Sequence, residues 1–341
     1  MLDPSPVPNN LLNLPRAHSL YSILVRLGMA VVLICIVIGS AIWTNDNFIR
    51  TRQADTNLVQ CVGTVRAREL AEISGMAVSR CYPDAFWVHN DSGHDAILYL
   101  ISMQGKLLAK FPIMCATNRD WEDICCFNHQ GRNFVLIGDV GDNGAIGKSC
   151  RLYLFEEPEV QLKPGEVVEV SIDHCEEIEF TYPDGPRNCE AFGFDSSSLS
   201  VFLIEKLAGN IKTKTQPGVY SMFIEAWLDP QAKNRPATTT LDRVADIRLR
   251  NVTAMAFSND NEQLVVRDYF HAHYYERAKD EDWKSCFSRG EPRSFALPIE
   301  RQGEAICFSP DGGSIFVTSE FQGQPIWKVK FVEELFTEGE Q

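Results

Sequence analysis

A six-residue phrase recurs five times along this chain and constrains its fold more than any other feature. It reads Ser74-Gly-Met-Ala-Val-Ser79, Glu122-Asp-Ile-Cys-Cys-Phe127, Glu190-Ala-Phe-Gly-Phe-Asp195, Thr253-Ala-Met-Ala-Phe-Ser258 and Glu304-Ala-Ile-Cys-Phe-Ser309. After each copy come a turn, an apolar β-run and a polar tip. One such unit cannot bury both of its faces, so successive copies must stack on one another. The spacing between copies brackets a four-stranded blade with variable loops. The sequence therefore predicts an all-β chain, a single β-propeller of five four-stranded blades. A sixth, degenerate blade inside the longer intervals, within residues 167–182 above all, is the alternative.

Turn chemistry supports the same register. Ser309-Pro-Asp-Gly312, Ser258-Asn-Asp-Asn261, Asp195-Ser-Ser-Ser198 and Asn128-His-Gln-Gly131 each follow the first strand of a unit and are rich in turn-closing residues. The fifth unit runs out of chain after three strands. Residues 62–66, just before the first phrase, can supply its outer strand and so remove an exposed sheet edge.

Upstream of the repeats lies an apolar run, residues 27–43, preceded by residues 20–25 and Arg26. With Arg26 snorkelling it is long enough to span a bilayer, and Tyr21 and Trp43 sit where interfacial aromatics belong. The expected organisation is an N-terminal tail (1–19), a transmembrane signal-anchor helix (20–43), a linker (44–60), the propeller (61–331) and an acidic C-terminal tail (332–341). The propeller is then membrane-tethered outside the cytoplasm. Cleavage after the small residues Gly39-Ser40-Ala41, giving a secreted protein, is the alternative.

The net charge is −14 with no basic stripe, which excludes a nucleic-acid partner, because phosphate neutralisation needs clustered Lys and Arg. An exported chain with eleven cysteines permits disulfides, though spacing does not pair them. Cys125 and Cys307 share a phrase position with Ala77, Gly193 and Ala256, so they are expected to be reduced and packed as small residues.

In a propeller the innermost strand lines the axis, so equivalent phrase positions converge there. Ser74, Glu122, Glu190, Thr253 and Glu304 form the first ring. A second set follows the second strand of each unit: His89-Asn90-Asp91, Asp139 with Asp142 and Asn143, Glu205-Lys206, Arg267-Asp268 and Ser319-Glu320. Crowded carboxylates call for a cation, a held proton or water, and oxygen ligands suit Ca²⁺ or Mg²⁺ better than zinc. The candidate metal ligands are Glu122, Glu190, Glu304, Asn90 and Asp139, with Ca²⁺ the candidate ion. Asp91, Asp142, Asn143, Glu205, Lys206, Arg267, Asp268 and Glu320 are candidates for contacting a ligand at the mouth. The structural alternative is a wet polar channel whose Glu side chains accept backbone N–H bonds from the neighbouring blade.

Three other motifs lead nowhere. Gly144-Ala-Ile-Gly-Lys-Ser149 lacks the first glycine of a phosphate loop and precedes a strand. His271-Ala-His273 reads as an exposed hairpin tip, and no Gly-x-Ser-x-Gly elbow surrounds Ser74.

At His89-Asn-Asp-Ser-Gly93, Trp121-Glu-Asp-Ile124, Gly138-Asp-Val-Gly-Asp-Asn143, Phe180-Thr-Tyr-Pro-Asp-Gly185 with Glu190-Ala191, and Gln302-Gly-Glu-Ala305, the chain resembles a family of largely uncharacterised bacterial exported β-propellers. The likeness covers residues 63–331. More distantly it is similar to phytase-like and gluconolactonase-type propellers, and that resemblance implies a divalent cation held at the channel by Glu, Asp and Asn. The function expected is a membrane-anchored module that binds a small molecule or protein at the ring mouth. The alternative is a divalent-metal-dependent esterase, phosphoesterase or lactonase. No nucleophile–base pair is recognisable, so no catalytic residue is assigned.

Overall fold

A computed structural model describes residues 58–207, 216–229 and 231–331. The chain opens with β1 (Val59–Thr64) and then builds blade one from β2 (Ile73–Val78), β3 (Ala85–Asn90), β4 (Ile97–Ser102) and β5 (Leu107–Pro112). Blade two begins with β6 (Trp121–His129), β7 (Arg132–Asp139) and β8 (Cys150–Glu156). The chain then swings back to lay β9 (Val168–Glu169) parallel to β5, and returns as β10 (Glu176–Thr181) to finish blade two. Blade three is β11 (Cys189–Asp195), β12 (Ser200–Glu205), β13 (Gly218–Phe223) and, beyond the short β14 (Thr239–Thr240) that caps blade two, β15 (Asp242–Asp246). Blade four is β16 (Ala254–Phe257), β17 (Gln263–Arg267), β18 (His271–Glu276) and β19 (Arg293–Ala296). Blade five is β20 (Gly303–Phe308), β21 (Ser314–Ser319) and β22 (Pro325–Lys330).

The fourth strand of blade five is β1, antiparallel to β22 with Val59 opposite Val329. The closing strand thus starts three residues earlier than expected and ends at Thr64. The described residues form five sheets, so no sixth blade is present among them. The run expected at 167–182 is instead β9 and β10, interrupted around Cys175, which is disulfide-bonded to Cys115 beyond β5. The break exists because the chain must leave the edge of blade one and reach that of blade two. Among the described residues, two short helices also punctuate the strands: α1 (Glu225–Leu228) and α2 (Trp283–Arg289). Asp282 caps α2 by accepting the Ser285 N–H, and α2 buries Trp283 and Phe287 in the seam between blades three and four.

Five apolar clusters hold the ring together, one in each seam. Trp87 and Leu98 of blade one meet Ile124 and Tyr153 of blade two. Phe127 and Leu136 meet Phe192 and Leu203. Ile204 meets Met255 and Val266, Val265 meets Ile306 and Val317, and Met76 and Val88 meet Phe316. The second strand of each blade is apolar on both faces and shows near-continuous burial, so the repeats are stable only as a closed set.

The expected spanning segment, residues 20–43, and both terminal tails lie outside the described residues. Among the described residues no helix is long and apolar enough to cross a membrane.

Candidate functional site

The inner strands adjoin in the cyclic order β2, β6, β11, β16, β20. In four of them the first residue of the phrase is a β-bulge. Ile73 pairs with Asn90 and Gly75 with His89, which leaves Ser74 outside the ladder. Glu122, Glu190 and Glu304 are skipped in the same way. A bulge frees one residue from the pleat and re-aims its side chain. The repeated bulge is what turns these side chains toward the axis.

At one mouth of the ring, every blade contributes a polar group. Carboxylate oxygens of Asp91, Asp120 and Glu122 all lie within 4.8 Å of one another. Glu122 also accepts a bond from the Ser74 hydroxyl at 3.3 Å. Glu190 pairs with Lys206, and its other oxygen accepts from Asn188. The Lys206 ammonium donates to the Tyr269 hydroxyl at 2.8 Å, while Thr253 donates to the Gly303 carbonyl at 2.9 Å. Glu304 is 3% exposed, and its Oε2 has no hydrogen-bond partner.

Gly141 forms the floor beneath the Asp120 and Glu122 carboxylates, where a Cβ would overlap both. The Asp139 side chain accepts the Asp120 N–H at 2.8 Å, and Asn118 donates to the carbonyls of Asn90 and Asp91. These bonds fix the backbone that carries the cluster.

Burial in a site crowded with like charges pushes Glu122, Glu190, Glu304, Glu320, Asp91 and Asp120 upward. Burial raises Glu122 well above the usual carboxylate range, with Glu190, Asp91, Asp120 and Glu304 adding repulsion. Burial also raises Asp91 and Asp120. Burial and the neighbouring Glu190 carry Glu304 to about 8, partly offset by Lys206, and burial with Asp91 and Glu72 carries Glu320 to about 7. Burial opposes charge on Lys206, but Glu190 and Glu304 hold it above the ordinary lysine range. The mouth is acid-rich, with Lys206 placed between Glu190 and Glu304 and Arg119 acting on Asp120 and Asp139.

The sequence-selected residues separate into two groups. Glu122, Glu190, Glu304, Asp91, Lys206 and Glu320 interact with one another across the mouth. Asp142 and Asn143 sit on its rim, both bonded to Asn188.

The others are occupied elsewhere. Asn90 donates to the Glu69 carbonyl, Glu205 accepts the Gly218 N–H, and Asp268 closes its own hairpin and binds His273. Fully buried Arg267 donates to the carbonyls of Ala305 and Thr318 and to Glu300. Period-two alternation explains much of this division: Asn90, Asp139 and Glu205 pair with Ile73, Trp121 and Cys189, so they share the blade-interior face. Asp91, Lys206 and Glu320, one residue beyond β3, β12 and β21, turn to the axis.

Sequence reasoning missed Asp120 and Asp123. Asp120 lies two positions before the ring residue, where the other repeats carry Glu72, Asn188, Asn251 and Gln302. That recurrent polar column was the available signal. Asp123 occupies a phrase position that is Gly75, Ala191, Ala254 and Ala305 elsewhere. It is fully buried and accepts the N–H groups of Ile124, Phe192 and Met255, from blades two, three and four. The inter-blade bonding expected of a ring Glu is thus performed by the next residue, which plugs the channel below the acids.

The sequence matches no protein-family model and no curated protein. Among solved structures it is similar to a nidogen/laminin complex (13% identity, 73% of each chain covered, TM-score 0.39). It is also similar to a glucose dehydrogenase (10% identity, 80% of this chain and 99% of that one, TM-score 0.42). A third likeness is to Kuenenia stuttgartiensis hydrazine synthase (10% identity, 76% and 84%, TM-score 0.39). The propeller assignment rests on the five-sheet topology described above.

Proposed function

We propose that this protein is a ligand-binding β-propeller whose acidic mouth takes a divalent cation, Ca²⁺ first among candidates. Asp91, Asp120 and Glu122 would supply the ligands. The observation that carries the reading is their convergence within 4.8 Å over Gly141, a position with no room for a side chain. The donors are all hard oxygens, which fits Ca²⁺ or Mg²⁺ and disfavours zinc. Bound there, an ion would offset the burial that raises all three acids and the repulsion from neighbouring carboxylates that adds to it.

The test is thermal unfolding of the full-length protein with Ca²⁺, Mg²⁺ or Mn²⁺ in turn. At one hundred times its Kd, an ion should add about 2.7 kcal/mol of stability. Asp120→Asn should remove that gain. The absence of a shift with all three ions would end the proposal.

Lys206 and Tyr269 favour a second reading, in which an anionic ligand bridges the cation and the ammonium. That arrangement would suit an ester, phosphate-ester or lactone hydrolase, in which the ion polarises the substrate. A panel of such substrates, assayed with the metal-loaded protein, separates hydrolase from binding module. A location outside the cytoplasm on a membrane anchor at residues 20–43 is part of the proposal, and the Cys115–Cys175 disulfide favours an oxidising compartment.

A further inference from the structure

At the far end of the axis, below the Asp123 plug, the ring opens into a cavity of about 470 Å³. Its origin is legible in the repeat: the fourth phrase position is Ala77, Cys125, Gly193, Ala256 and Cys307, so nothing large fills the tube there. Its apolar walls include Ile124, Phe127, Phe194, Phe257 and Phe308, and Asn128, Asn133, Ser196, Ser258 and Asn261 also line it. Among the described residues that line it, Arg80 alone is charged. Its guanidinium bonds two neutral oxygens, the Cys126 carbonyl at 3.2 Å and Asn259 Oδ1 at 2.6 Å. Asn259 belongs to blade four and Arg80 to blade one, which are not neighbours, so this bond crosses the opening. Asn259 in turn donates to the Pro310 carbonyl of blade five.

A lone cation over an aromatic cavity, in a chain of net charge −14, is an asymmetry with chemical content. An apolar molecule entering would bury its body against the phenylalanines. An anionic head would exchange the neutral Asn259 partner of Arg80 for a charge-assisted bond, about twice as strong. We propose that this cavity is a second binding site, for a small organic anion with an aromatic or aliphatic body, with Arg80 its anchor and Asn259 the resting partner of that anchor. It is independent of the acidic mouth, from which Asp123 divides it.

Isothermal titration of the full-length protein with 2-naphthoate, and with neutral 2-naphthamide, tests this in the presence of EDTA. Naphthoate should bind with one-to-one stoichiometry and about ten-fold more tightly than the amide. Arg80→Gln should erase the difference, and Ala256→Trp should remove both. Naphthoate should also slow alkylation of Cys125 and Cys307, which line the same space, as read by peptide mass mapping of the unmutated chain. Equal affinity for the two compounds, no saturable binding, binding that survives Ala256→Trp, or alkylation rates that do not change would each overturn the proposal.

Discussion

Replacing Glu304 with Gln should make the metal-free ring more stable in alkali and leave it unchanged in acid. Glu304 Oε2 has no partner, and burial beside Glu190 moves the carboxyl from 4.5 to about 8. At 1.36 kcal/mol per pH unit, ionising this group inside the ring costs roughly 5 kcal/mol relative to the unfolded chain. A carboxyl raised on folding favours the native state through its protonated form. That contribution is intact below about pH 4.5, erodes as the unfolded chain ionises, and is lost once pH passes about 8. Gln cannot ionise, so the variant escapes the loss.

Urea denaturation between pH 4 and 9 with EDTA present, followed through the buried Trp87 and Trp121, measures the difference directly. The two proteins should coincide near pH 4 and separate progressively, the variant gaining up to roughly 5 kcal/mol at pH 9. Stability curves that stay parallel from pH 5 to 9 would refute the argument, because they would mean that Glu304 ionises as freely in the ring as outside it.

Three further outcomes follow from the same geometry. Gly141→Ala should abolish the cation-induced rise in melting temperature with the ring still folded, since the new methyl overlaps the Asp120 and Glu122 carboxylates. Glu300→Leu should destabilise by about 3–5 kcal/mol in urea titrations, because it strands the fully buried Arg267 without its counter-charge. Asp123→Ala leaves three backbone donors unbonded at about 1–3 kcal/mol each, so circular dichroism should find the ring largely unfolded at 37 °C, whereas Asp123→Asn retains acceptor capacity and should cost less.

The repeats were readable because each phrase combines alternation with a following turn, and that pattern survives divergence of everything between. Blade order, the ring residues and closure by a strand from before the first phrase all follow from it. Side-chain direction at the tips did not follow. Asn90 and Asp91 are adjacent and both polar, yet one braces a loop and the other faces the axis. Alternation distinguishes them only once the bulge at Ser74 fixes the register. Arg267 looked like a mouth residue because its partner Glu300 lies on a loop that carries no repeat signal. Helix α2 and the return of β9 to blade one were hidden for the same reason: they belong to insertions between units. Asp123 was visible as an acid among glycine and alanines, and only a column-by-column comparison of the repeats would have singled it out.

The pairing of β1 with β22 has a mechanical consequence. Val59 lies opposite Val329 and Thr64 opposite Pro325, so both strands leave the ladder at the same end. Tension between the two chain ends would therefore load one rung at a time, opening the ring as a zipper rather than shearing all its bonds at once. Drag on a ligand held at the axis would instead reach the inner strands and by-pass this fastening.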